Sequence, residues 1–285
     1  MRASYAHLHE TLGERLRRVR LIALDLDGTT LTSDKRLTPR TVEAIQGARA
    51  RGLEVAFATG RMLTSVSELA EEAGLEREHV SLNGSLVGRT PRDEPLFCGA
   101  LGAELVARSR AHLPAGATLY WLTRQGVVTE AGGLDRWDYL RSWTAGRHQR
   151  TVASLDEVAR EPVYHLHWVG PREVLEGIAA ELVSAELQSM IFQSARGPLC
   201  HLEMRAVGLD KASGLRHLGR HLGVSLEETL VVGDWLNDLE MIQAAGVGLA
   251  MANACPPVQE IADGVLPLRN DEEGVADLLE SVFLL

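Results

Sequence analysis

The sequence predicts an α/β fold, a doubly wound parallel sheet interrupted by an inserted α+β module. Three observations carry this. Short apolar runs alternate with amphipathic stretches from Leu21 to about Leu82. The pattern lapses over roughly a hundred residues and resumes at Lys211. Polar clusters stand where three of the apolar runs stop, and open α/β sheets bind ligands at the carboxyl ends of their strands.

Leu21–Leu24 reads as the first strand. Thr38-Pro39 opens a helix to about Arg51, with Thr as the cap, Pro in the first turn and Gly52 as the stop. Leu53–Ala58 is a second strand, a helix follows to about Ala73-Gly74, and Val80–Leu82 is a short third strand. Beyond the lapse, Lys211–Leu222 is helical and Thr229–Val232 is a strand. A turn and helix (Asp234–Ala245), a strand (Val247–Met251), a short helix (Pro256–Ala262), a short strand (Val265–Pro267) and a last helix (about Asp271–Phe283) complete the series. Between the halves, Thr118–Leu122, Gly126–Thr129 and Val163–Val169 alternate as strands do, with helical segments and Gly/Pro punctuation that includes Gly132-Gly133. The expected organisation is an extension over 1–20, a core from 21–85 and 199–285, and an insert over 86–198.

Composition narrows the function. Hydrophobic residues make up 45% and charged residues 24%, the balance of an ordinary globular protein. A net charge of −10 argues against a nucleic-acid partner. No apolar run has membrane-span length and no secretory signal is visible, so neither a membrane partner nor export is expected. Cys98, Cys200 and Cys255 lack any paired ligand spacing, which fits a cytoplasmic location and buried thiols. Leu8, Leu12 and Leu16 recur at helical spacing before Arg15, Arg17, Arg18 and Arg20, and Glu10 and Glu14 interrupt the basic face. A packed extension is the expectation there. Of 29 basic residues only Lys35 and Lys211 are lysines. Lys35 stands in the polar loop Thr32-Ser33-Asp34-Lys35-Arg36 and is expected to be solvated.

The chemistry gathers at strand ends. Asp25 and Asp27 close the first strand two residues apart, so strand periodicity puts both carboxylates on one face. Uncompensated anions there are costly, so a cation is expected, although Asp and Gly also make ordinary turns. Thr59 and Gly60 end the second strand, offering a hydroxyl and a backbone amide at a helix start. Asp234 and Asp238 follow the Thr229 strand four residues apart and share a face if a helix begins there. Four carboxylates ask for a hard cation with oxygen ligands, and Mg²⁺ is the natural choice. Lys211, at a helix start in an arginine-rich chain, reads as a compact point charge.

In order and spacing, Asp25-Leu26-Asp27-Gly28-Thr29, Ala58-Thr59-Gly60-Arg61, Asp210-Lys211 and Gly233-Asp234-Trp235-Leu236-Asn237-Asp238 resemble the four motifs of the haloacid dehalogenase superfamily. Asn83-Gly84, Ala250–Ala254 and Asp271–Ala276 narrow the likeness to the Cof-type phosphatases. The resemblance implies a Rossmann-like core with an α/β cap and a Mg²⁺-dependent phosphatase of small phosphorylated metabolites, sugar phosphates or phosphorylated cofactors. It implies Asp25 as nucleophile, Asp27 as general acid then base, and Thr59 and Lys211 around the phosphoryl group. Gly60 and Asn237 would bind substrate. The metal would sit on Asp25, the Asp27 carbonyl and Asp234, with Asp238 supporting from behind. Thr30 and the bulky Trp235 depart from the common pattern. Trp235 either lines the substrate entrance or packs beside its strand, packing being the simpler expectation.

The insert is expected to act as a lid, with hinges near Gly84 and Arg196-Gly197. His165 and His167 share one strand face and read as structural, and Trp121, Trp137, Trp143 and Trp168 as interior. Alternatives are a sugar phosphomutase, which would pass the phosphoryl group to a second hydroxyl, and a phospho-Asp signalling or binding protein without turnover. A monomer or homodimer is expected.

Overall fold

The computed structural model describes residues 5–111, 114–132, 136, 138, 140, 149–194 and 197–284. Gly133, Trp137, Trp143 and Arg196 lie outside them. In chain order the first strands are β1 (Leu21–Leu24), β2 (Glu54–Phe57), β3 (His79–Ser81), β4 (Leu86–Gly88) and β5 (Phe97–Cys98). Next come β6 (Thr118–Thr123), β7 (Val127–Glu130), β8 (Gln149–Val152), β9 (Val163–Gly170), β10 (Leu187–Gln193) and β11 (Cys200–Ala206). The series ends with β12 (Thr229–Gly233), β13 (Val247–Ala250) and β14 (Gly264–Val265). The chain divides into two compact units, one of Met1–Gly60, Val66–Phe97 and Asp210–Leu285, the other of Arg61–Ser65 and Cys98–Leu209.

The first unit is built on a parallel sheet in the order β14-β13-β12-β1-β2. Alternate residues of β1 feed opposite layers, as strand geometry requires. Ile22 and Leu24 join Ala44, Ile45 and Ala48 of the Pro39–Ala50 helix. Leu21 and Ala23 join Ala212, Leu215 and Leu218 of the Lys211–Leu222 helix. Apolar layers on both faces make this the doubly wound α/β core that the sequence predicts. Leu8, Leu12 and Leu16 of the first helix are buried in the Ile22 layer, and Arg15 clasps Asp263 through two hydrogen bonds of 2.6 and 2.7 Å. The extension is therefore packed.

Some elements start later than their sequence suggests. The helix after Gly60 begins at Leu63, so Gly60 does not open it. After Asp234 a 3₁₀ turn over Leu236–Asp238 comes first, closed by Asp238 N donating to Trp235 O, and the α-helix starts at Leu239. The last helix starts only at Gly274, because Glu273 adopts a left-handed φ of +59° and blocks extension towards Asp271, and after Leu279 it continues as a π-helical stretch over Glu280–Leu284. Gly84, an expected hinge, sits in a packed turn, where a Cβ would lie 1.9 Å from the Asp210 carbonyl oxygen. Cys98 is exposed rather than buried.

The second unit carries a six-stranded sheet ordered β10-β11-β9-β6-β7-β8, antiparallel except for β7 and β8. Leu119, Trp121, Leu166, Trp168, Leu202 and Met204 pack one face against Leu175, Ile178 and Leu182 of the Arg172–Leu182 helix. Trp121 and Trp168 are thus interior, as expected. The register brings His165 opposite Arg205 and His167 opposite Glu203, placing these polar residues on the other face.

Candidate active site

Strand order positions the site. β1 borders both β12 and β2, the point at which the order reverses, with Leu24 level with Val232 and Phe57. The residues that follow, Asp25, Asp234 and Thr59, therefore leave the sheet at one edge, beside a topological switch point. Asp25 N donates to Val232 O, tying the first carboxylate to the neighbouring strand.

Lys211 binds these segments together. Its ammonium, fully buried, donates to Asp25 Oδ1 and to Asp238 Oδ1, each at 2.6 Å. Burial works against the lysine's charge, but Asp238 and Asp25 outweigh it and raise its pKa above the ordinary value. Burial also raises the pKa of Asp25; Lys211 opposes the shift, and Asp238 and Asp234 add to it. Asp234 is pushed up to about 7, by burial first and then by the charge of Asp238. Ligand oxygens of Asp25, Asp234 and Asp238 lie within 4.8 Å of one another. With all three carboxyls ionised, the cluster would carry two negative charges beyond its one ammonium, an excess that a divalent cation would cancel.

Asp238 reaches this group by a different route from the shared helix face. Its Oδ2 accepts from the amides of Asp234 (2.9 Å) and Trp235 (3.0 Å), so the carboxylate closes its own loop while Oδ1 holds Lys211. Both oxygens are engaged by the protein, which makes Asp238 the support of the Asp234 turn. Gly28 supplies the close approach opposite, since its φ is +80° and a Cβ there would fall 2.3 Å from Asp234 Oδ2. Thr29 donates to Asp234 Oδ1 at 3.0 Å, and the Thr30 hydroxyl caps the Asp25 carbonyl. The polar residue at position 30 thus has a structural purpose.

Asp27 is not one of the three clustered carboxylates, although its charge adds to the upward shift of Asp234. Its half-buried carboxylate pairs with Lys35 at 2.7 Å; the lysine is exposed, as expected, and is also engaged with Asp27. Thr59 is buried at the end of β2, and its amide donates to Val80 O. Asn237 donates from Nδ2 to Asn83 Oδ1 at 2.9 Å. A Cβ on Gly60 would meet that Asn83 oxygen at 3.2 Å, so Asn83 lies between Gly60 and Asn237. Sequence reasoning gave Asn83 no part in the site. Its signal was the Asn-Gly turn, realised as a left-handed φ of +49° at Asn83. Trp235 is 57% exposed, so it does not pack beside its strand.

Known proteins bear directly on this arrangement. The profile of the haloacid dehalogenase-like hydrolases matches residues 22–279. The chain belongs to that family. It is an enzyme, a phosphoric monoester hydrolase of the haloacid dehalogenase type. An HMP-PP phosphatase of Serratia proteamaculans is 30% identical over 272 residues, covering 92% of this chain and 94% of the relative. A 5-amino-6-(5-phospho-D-ribitylamino)uracil phosphatase of Bacillus subtilis is 28% identical, covering 93% and 98%. Among solved structures, a haloacid dehalogenase-like hydrolase from Bacteroides thetaiotaomicron matches with a TM-score of 0.79 at 29% identity, over 93% of this chain and 100% of that one. A subclass IIB sugar phosphatase shares the fold, with a TM-score of 0.76 at 22% identity over 94% and 100%. Among the described residues no helix is long and apolar enough to cross a membrane.

Proposed function

We propose that the chain is a Mg²⁺-dependent cytoplasmic phosphatase of a small phosphorylated metabolite, working through an aspartyl phosphate on Asp25. The observation that carries this reading is the cluster of Asp25, Asp234 and Asp238 around Lys211. Its donors are all oxygens and, fully ionised, it carries two negative charges in excess, which fits a hard divalent ion. Asp25, Asp234 and the Asp27 carbonyl would hold the ion, and Asp238 would brace them. Bound there, Mg²⁺ would supply charge neutralisation for the incoming phosphate.

The residues of the chain do the rest. A carboxylate oxygen of Asp25 attacks phosphorus in line, and the bond to the leaving oxygen breaks. Asp27 donates a proton to that oxygen. Asp27 then accepts a proton from water, whose oxygen attacks the same phosphorus. The bond to Asp25 breaks and inorganic phosphate departs. Lys211 and Thr59 hold the phosphoryl group, with the Gly60 amide and Asn237 beside it, and charge is stabilised without reorganisation. Relatives named as phosphatases of HMP-PP and of 5-amino-6-(5-phospho-D-ribitylamino)uracil support a small phosphorylated substrate. Free Cys98, Cys200 and Cys255 suit a reducing compartment.

A panel of phosphorylated sugars and cofactor intermediates, assayed with Mg²⁺ and after chelation, tests the reading. Phosphate release that requires the metal is expected. Equal release in chelator, or none from any member of the panel, overturns it.

A further inference from the structure

Two stretches of the Cof-type likeness, Ala250–Ala254 and Asp271–Ala276, have no task in the chemistry above. Both reach the loop of the first motif. Asn253 donates from Nδ2 to Gly28 O at 2.7 Å and accepts at Oδ1 from Asn270 N at 3.0 Å. Asn270 in turn donates from Nδ2 to Leu31 O at 2.9 Å. Further along the loop, Asp271 accepts from Ser33 N at 2.6 Å and from Ser33 Oγ at 2.5 Å. Asn253 engages its amide nitrogen with one partner and its amide oxygen with another, so the pair fixes which way the side chain faces.

The contact matters most at Gly28. Asp234 packs so close that only glycine fits there, at a φ of +80° that side-chain-bearing residues rarely adopt. Glycine is also the least restrained backbone unit, and here it separates Asp27 from Thr29. The loop's own closures, Thr30 N and Leu31 N to Leu26 O at 3.1 and 2.8 Å, are made beyond Gly28. Asn253 grips the Gly28 carbonyl itself. We propose that Asn253 is a positioning residue for the divalent ion: by holding the Gly28 carbonyl it steadies the Asp27–Gly28 peptide, and with it the Asp27 carbonyl that would meet the metal. Groups behind a metal's own ligands orient those ligands, and losing one commonly costs roughly 10- to 100-fold in affinity. Asp271 fastens a part of the loop further from that peptide and bears less on the ion.

This inference rests on the metal site proposed above, and the test separates the two. Mg²⁺ affinity is measured by calorimetry on the full chain without substrate. Amide hydrogen exchange over residues 27–31 is followed on the same proteins without metal. Asn253→Ala, and Asn253→Leu of closer size, weaken Mg²⁺ binding about tenfold and speed exchange over that segment. Ser33→Ala, which releases only the far end of the loop, leaves the affinity close to wild type. Unchanged affinity or unchanged exchange in the Asn253 variants, an equal loss of affinity in Ser33→Ala, or failure of both Asn253 variants to fold overturns the proposal while the metal site stands. Absence of Mg²⁺ binding by the wild-type chain removes the metal reading, and this inference with it.

Discussion

Two clusters, one in each unit of this chain, bury ionisable groups in opposite ways. In the first, Lys211 is fully buried yet charged, because Asp25 and Asp238 meet it at hydrogen-bonding distance. In the second, burial keeps His167 and His201 neutral. His167 Nε2 and His201 Nδ1 are hydrogen-bonded at 2.8 Å, and burial lowers the pKa of His201 to about 4, with Glu203 acting in the opposite direction. A buried charge survives where opposite charges are supplied; a buried imidazole is cheaper to leave uncharged. The first arrangement, fully ionised, leaves an excess of negative charge for chemistry. The second makes a pair of neutral imidazoles beside the Glu203–Arg205 ion pair.

The largest effect expected is from Asp25→Asn, which should lower kcat roughly 10⁴-fold or more while circular dichroism stays native. Asp238→Ala strips Lys211 of one partner and frees the amides of Asp234 and Trp235. It should cost about 3–5 kcal/mol in denaturant unfolding, the range for breaking a buried pair, along with most of the activity. Gly28→Ala places a methyl against Asp234 and forces a strained φ, so roughly a tenfold loss of kcat/KM is expected, with a higher Mg²⁺ requirement in the same assay.

Acid should act on both units with the same sign. His79 Nδ1 accepts from Phe57 N, and burial holds its pKa at about 3, against 6.5 for an unburied histidine. The unfolded chain takes up this proton first, so stability is full above pH 6.5 and falls as pH drops towards 3. The loss is about 2 kcal/mol per such histidine by pH 5. Urea melts at pH 7 and pH 5 should show it, and His79→Asn, which can still accept from Phe57 N, should flatten the dependence. His201→Asn should do the same for the second unit. Unchanged slopes in both variants would refute the neutral-imidazole account.

Much of the first unit is legible in sequence because its signals are local. Thr38 caps its helix by accepting from Thr41 N, with Pro39 in the first turn, as the two residues predict. Asp25, Thr59, Lys211 and Asp234 could be read because each ends a recognisable run or opens a helix. Lys35, Asn83 and the loop closure by Asp238 could not. Their partners lie 8 residues back for Lys35 and 154 residues on for Asn83, and Asp238 acts through backbone amides that no residue pattern records. Trp235 is exposed where packing is the simpler expectation, because apolar character says nothing about exposure in a turn. In the second unit the pairings of His165 with Arg205 and His167 with Glu203 depend on register across distant strands, which periodicity alone does not fix.

The central claim is that Asp25 carries the phosphoryl group between substrate and water. Turnover of a radiolabelled phosphate ester, quenched in acid within milliseconds and digested, tests it most directly. Label on the peptide containing Asp25, absent from Asp25→Asn and lost under mild alkali, is the result this account predicts. Product formation at the wild-type rate by Asp25→Asn, or label on any other peptide, would contradict it.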